Sequence, residues 1–165
     1  METTKEGKIY SDLCVNFPST SSRGNKYIYL IYVYDCNSIL TIATKNRSDK
    51  DMIRYFTSLT EDLKTRGIHP GFHFMDNDAS NVLKPTMTTM NIKYQLDPPS
   101  NHRENNAERE IQTFKNHFIA GLCGVEKYFH LQLWDRLLQK ATISLKLVRQ
   151  SKTLPHISAY THIFR

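Results

Sequence analysis

Three carboxylates carry the chemistry open to this sequence. Asp12 lies within one apolar run, Asp76 closes another, and Glu108 opens an amphipathic stretch. Neighbouring strands lie about 4.8 Å apart. If the runs holding Asp12 and Asp76 are adjacent, parallel strands, the two acids can share a divalent ion, and Glu108 could complete a second site. Two hard cations held about 3.5–4 Å apart by carboxylates activate an attacking oxygen and stabilise the leaving one in phosphoryl transfer. All-oxygen ligation favours magnesium or manganese over zinc. Two of the acids also have a plainer reading. Asp12 can be a carboxylate at a fraying strand end, since acids are depleted in strands. Glu108 can be a solvated helix start, placed well on the helix dipole.

Gln112 and Lys115 follow Glu108 at i+4 and i+7, so the three form one stripe along a helix. Ala107, Ile111, Phe114, Phe118 and Leu122 recur at helical spacing on a different, buried face. The spacing predicts that helix from about 104 to 122. Before it, residues 8–17 read as a first strand, 26–34 as a central β-branched and aromatic strand, and 39–44 as its antiparallel partner. Asp35 in the intervening turn has a structural role open to it. Ser48 reads as the N-cap of a helix that Gly67 stops. A short strand over 71–76 ends on Asp76. A weaker helix over 80–90 is expected to break near Pro85, and 92–96 is another short strand. A last helix is expected from about 129 to 148, with Leu131, Trp134, Leu137, Leu138, Ala141 and Leu145 inward. The remainder, 153–165, shows no period. The order is a hairpin succession of three strands, then strands alternating with helices: an α/β mixed sheet flanked by helices.

Composition bounds the partners. The 165 residues carry a formal charge of +6, unevenly placed. Residues 1–99 hold twelve Lys and Arg against eleven Asp and Glu, whereas 100–165 hold ten against five. A basic C-terminal third suits a phosphate-bearing partner, although basic helices are also common on ordinary surfaces. Cys14, Cys36 and Cys123 are far apart, which argues against a disulfide framework or a structural zinc site and suits a reducing intracellular setting. Cys123 reads as a small buried hydrophobe. No run approaches the roughly 20 apolar residues of a membrane span, so no membrane partner is expected, and the polar, acidic start is not a signal or transit peptide. His69, His73 and His130 lack ligand spacing, and Met87 and Met90 read as packing. Tyr27, Tyr29, Tyr32 and Tyr34 read as strand core rather than a base-stacking platform.

Two short motifs sharpen this. Asp76-Asn77-Asp78-Ala79-Ser80 ends a strand, and Asn105-Asn106-Ala107-Glu108-Arg109 starts a helix; upstream, Tyr10-Ser11-Asp12 is followed by Phe17-Pro18 and Gly24-Asn25-Lys26-Tyr27. Together they resemble the catalytic core of retroviral and retrotransposon integrases, the DDE polynucleotidyl transferases of the ribonuclease H-like fold, over about residues 8–125. The copia-type likeness rests on Thr113–Phe118 and Leu133-Trp134-Asp135. The resemblance implies a five-stranded mixed sheet, three antiparallel strands then parallel ones. It implies Asp12, Asp76 and Glu108 as catalytic ligands of two Mg²⁺ or Mn²⁺ ions. Lys115 and Gln112 would touch DNA near the scissile phosphate, Arg109 would anchor the loop or a phosphate, and Arg103 and His102 are backbone contacts; a plain surface cation is the alternative for each base. The partners implied are element ends and target DNA, with a homo-oligomer acting in the nucleus. The chain is expected to be one core domain (about 8–150, with 151–165 a tail), without the zinc and C-terminal barrel modules integrases commonly carry. Departures stand beside the likeness. Asp78 replaces a Gly or Glu, thirty-one residues separate Asp76 from Glu108, and Glu110 adds negative charge beside the site. A catalytically decayed nucleic-acid-binding or interaction remnant of the fold, or a ribonuclease H-like nuclease, are the alternatives.

Overall fold

The computed structural model describes residues 7–75, 77–96 and 106–164, with the side chains of 13–15, 77–80 and 106–107 outside the description. Five strands, β1 (Gly7–Asn16), β2 (Tyr27–Val33), β3 (Ser38–Thr44), β4 (Pro70–Met75) and β5 (Lys93–Leu96), form one sheet in the order β3-β2-β1-β4-β5. The first three pair antiparallel, and β4 and β5 add in parallel beyond β1. The expected mixed sheet is the one observed, and β1 lies at its centre beside β4.

Strand alternation divides the core into two layers. Ile9, Tyr29, Ile31, Val33 and Met75 face α1 (Asp49–Thr65) and α2 (Asn77–Thr89), where Phe56, Leu63, Leu83 and Met87 are buried. Tyr10, Ile28, Leu30 and Tyr32 face α3 (Asn106–Cys123) and α4 (Trp134–Val148), where Ile111, Phe114, Phe118, Trp134 and Leu138 are buried. Tyr29 and Tyr32 are thus core residues, and Met87 is packing, as read from the sequence.

Local chemistry sets the helix ends. The Ser48 hydroxyl accepts from the Asp51 amide at 3.3 Å, and the Asp49 and Asp51 carboxylates sit in the first turn, where the helix dipole favours them. Gly67 closes α1 at a φ of +75°, a left-handed conformation that costs glycine least.

Four expectations need correction. The helix holding Pro85 is continuous from Asn77 to Thr89 rather than broken. Pro85 is exposed, while Leu83 and Met87 on either side are fully buried, and that burial offsets the one lost hydrogen bond and the strain of an interior proline. The last long helix begins at Trp134, after a 3-10 turn over Leu131–Leu133, which leaves Leu131 exposed at 47% instead of inward. Cys123 is exposed, because it lies off the stripe that buries Ile111, Phe114 and Phe118. The tail is structured. It forms a bridge between Gln150 and Ser158, then α5 (Ala159–Phe164), with Ala159 and Ile163 buried. The Asp35 turn holds it: the Asp35 carbonyl accepts from the Lys152 and Thr153 amides at 3.1 and 3.2 Å.

Candidate active site

The parallel pairing of β1 with β4 is the element the chemistry required. Tyr10 is the register partner of Phe74, and their rings stack 4.6 Å apart. Asp12 follows two residues on from Tyr10, on the face that meets α3. Its side chain is 42% exposed, and the Lys115 ammonium of α3 lies 3.6 Å from its Oδ2. The structure therefore brings the first predicted acid to the predicted helix stripe.

Glu108 is exposed in the first turn of α3. Gln112, one turn on, is exposed and donates to the Asn116 Oδ1 at 2.9 Å. Arg109 is exposed, and its carbonyl accepts the Thr113 hydroxyl at 2.8 Å. Asp76, His102 and Arg103 lie outside the described residues; β4 ends at Met75, immediately before Asp76. Among the described residues, no three His, Cys, Asp or Glu side chains cluster to hold a metal.

Behind Asp12, a buried polar link ties β1 to β4. The Ser11 hydroxyl lies 2.8 Å from His73 Nε2, and His73 Nδ1 lies 3.0 Å from the Met87 sulfur. A thioether only accepts, so Nδ1 carries the proton and Nε2 accepts from Ser11. Burial pushes the His73 pKa down to about 3, which keeps the imidazole neutral. His73 is thus a structural pin, and its lack of ligand spacing in the sequence carries over into a role that sequence reasoning missed.

Glu110 needs the largest correction. It was expected to add negative charge beside the acids, but it faces the C-terminal segment. Its carboxylate lies 2.7 Å from Arg149 Nη2 and 3.9 Å from the Lys152 ammonium. Lys152 in turn sits over the Tyr34 ring at 4.4 Å. Burial first, and the Glu110 charge second, push the Tyr32 hydroxyl well above the usual tyrosine range. Two bases of the C-terminal third are thereby spent on anchoring the start of α3, the turn that carries Glu108. No local pattern signals this, since nearly forty residues separate Glu110 from Arg149.

The Leu133-Trp134-Asp135 motif also acquires a mechanical role. The Trp134 indole donates to the Ser19 carbonyl at 2.8 Å. Asp135 Oδ2 accepts from the Ser21 hydroxyl at 3.0 Å and the Asn25 amide at 2.8 Å. The Phe17 ring stacks on Trp134 at 4.3 Å. The loop between β1 and β2 is clasped to the start of α4, which fixes the end of the strand carrying Asp12.

No protein-family model matches the sequence, and no curated protein matches it. Solved structures do. The HTLV-2 integrase catalytic core domain in complex with magnesium superposes in its trimeric form with a TM-score of 0.67 at 13% identity, over 96% of each chain. Its dimeric form gives 0.67 at 14% identity, over 97% of this chain and 96% of that one. The simian T-cell lymphotropic virus intasome, in complex with PP2A regulatory subunit B56 gamma, gives 0.73 at 12% identity, over 97% of this chain and 55% of that one. At these identities the likeness is one of architecture, and it extends over almost the whole chain: the protein has the ribonuclease H-like fold of a retroviral integrase catalytic core.

Proposed function

We propose that the protein is a copia-like retrotransposon integrase core that joins or nicks DNA by two-metal phosphoryl transfer. The observation that carries the proposal is the register of β1 on β4. Tyr10 pairs with Phe74, and Asp12 and Asp76 each follow two residues on in the sequence. In this reading, Asp12, Asp76 and Glu108 are the catalytic acids. Their donor set fits a hard divalent cation, because carboxylates offer oxygen alone and Asp12 keeps a partly exposed carboxylate that already attracts an ammonium. Magnesium or manganese bound there would supply Lewis-acid stabilisation of the charge that develops on the phosphodiester oxygens.

The chain's own groups position the nucleic acid. Lys115 exchanges Asp12 for a DNA phosphate when the duplex arrives, and Gln112 offers an amide beside it. Arg109 and Arg103 hold the backbone, which fixes register without reading sequence. Water or a DNA 3′-hydroxyl then attacks the scissile phosphorus in line. The new P–O bond forms as the opposite P–O bond breaks, the leaving strand departs as its own 3′-hydroxyl, and the attacking group's proton passes to solvent. The HTLV-2 neighbour is a magnesium complex and the simian virus neighbour an intasome, which supports both the ion and the partner. The same reading makes residues 1–165 one catalytic-core domain that acts on DNA as a homo-oligomer, in the nucleus.

The test is manganese-dependent nicking and strand transfer by the native protein beside Asp76→Asn and Glu108→Gln. Both variants are expected to fall to the metal-free background; equal activity in all three proteins would remove the metal assignment. A second reading, a binding remnant that has lost catalysis, is favoured by one observation: the Lys115 ammonium lies 3.6 Å from Asp12, where a divalent cation would sit. DNA binding without any metal-dependent cleavage would select it.

A further inference from the structure

A cavity of about 510 Å³ opens beside Lys115, between α3 and the clasped loop after β1. Its walls are Phe17, Pro18, Phe118, Ile119, Leu122 and Leu131, and its few polar groups are Asn16, Gln112 and Lys115. Two of the apolar wall residues are held open to water, Ile119 at 55% and Leu131 at 47% exposure. The back wall is rigid. Phe17 stacks on Trp134, and Phe118 is buried against both Phe17 and Phe114. A preformed apolar hollow of this size with a few placed polar groups suits a small organic ligand, and its rigidity spares the cost of ordering the walls.

We infer that this cavity binds an organic anion with an aromatic or branched aliphatic body and one acidic head, the body in the hollow and the head on Lys115. The charge of Lys115 selects the head, and the scarcity of polar lining selects the body. A nucleobase, polar around its whole edge, would leave most of its hydrogen-bonding groups unpaired there. Lys115 belongs to both the cavity wall and the ion pair with Asp12. A carboxylate or sulfonate in the hollow therefore competes with Asp12 for the ammonium, so occupancy is sensed at the first acid. An ion pair this exposed is weak, and the exchange is correspondingly easy. The inference concerns ligand binding alone and stands or falls separately from phosphoryl transfer.

Two dyes with the same body test it: anionic 8-anilinonaphthalene-1-sulfonate and neutral N-phenyl-1-naphthylamine, each titrated by fluorescence into the native full chain. One saturable site is expected for each. Lys115→Met should weaken the anionic dye by roughly fivefold to tenfold and leave the neutral dye unchanged. Ile119→Asp, at an exposed position, should weaken both. Cys123 lies in the cavity lining and is exposed, whereas Cys36 is buried, so bound dye should slow alkylation of Cys123, followed by peptide mass spectrometry. Equal loss of both dyes in Lys115→Met, or unslowed alkylation at saturating dye, overturns the inference. So does protection of Cys123 by an oligonucleotide with an unpaired end when neither dye protects it, which would make the hollow a base pocket.

Discussion

Lys115 joins the first candidate acid to the cavity beside α3. At 3.6 Å from Asp12, its ammonium occupies part of the field a divalent cation would use. The pair is partly solvated, so its contribution is about 1 kcal/mol or less. Lys115→Gln is accordingly expected to tighten manganese binding by up to about fivefold in calorimetry while weakening DNA binding and flattening its salt dependence. Unchanged manganese affinity would separate the pair from the metal site. The acids themselves divide by role. Glu108 is exposed, so Glu108→Gln should alter stability by no more than about 0.5 kcal/mol. Glu110 faces an Arg149 side chain only 12% exposed. Glu110→Ala should therefore cost roughly 1–3 kcal/mol in a denaturant melt, because a largely buried guanidinium loses its charge-assisted bond. The reverse ranking would exchange the functional and structural assignments.

Between elements, two ties set the geometry of the site, and each has a measurable signature. The first is the Ser11–His73–Met87 link between β1, β4 and α2. The His73 pKa falls from 6.5 in the unfolded chain to about 3 when folded. The stability it confers is full above about pH 6.5 and is lost as pH falls toward 3, by up to ~1.4 kcal/mol per pH unit. His162, also lowered by burial, acts in the same direction. His73→Gln should make the acid limb of a stability–pH curve shallower, and an unaltered slope would contradict the buried neutral imidazole. The second tie is the Asp135 clasp. Asp135→Ala strands the Ser21 and Asn25 donors and should cost roughly 1–3 kcal/mol. Asp135→Asn keeps one acceptor oxygen and removes a buried charge whose Oδ1 has no hydrogen-bond partner, so thermal melts should place it close to the native protein.

Across the molecule, the parts written in local periodicity were legible in the sequence and the parts written in long-range pairing were not. The unbroken β-branched and aromatic run from Ile28 to Val33 and the helical spacing of Ile111, Phe114 and Phe118 named the sheet and the helix over the site. The sharing of an ion by Asp12 and Asp76 required the first and fourth strands to be adjacent and parallel, and the sheet order has them so. Glu110, by contrast, could be judged only by its neighbours in sequence, and its partners Arg149 and Lys152 lie in a segment with no period of its own. Pro85 was weighed by propensity, which the burial of Leu83 and Met87 overrides. Leu131 was assigned by a stripe that extends past the true start of its helix at Trp134, and Cys123 by residue type alone, although it sits on the exposed face of α3. The candidate acids were legible by type and motif; the ammonium beside Asp12 was anticipated only as a DNA contact, because side-chain direction on a helix does not reveal which strand residue it will meet.

The most direct measurement of the central claim is manganese titration of the native chain by calorimetry, beside Asp12→Asn and Asp76→Asn. Binding of two ions at millimolar concentration or below by the native protein, abolished or halved in stoichiometry by each substitution, is the expected result. Native-like binding in either variant, or none in the native protein, would contradict a metal site built on the strands that carry these two acids.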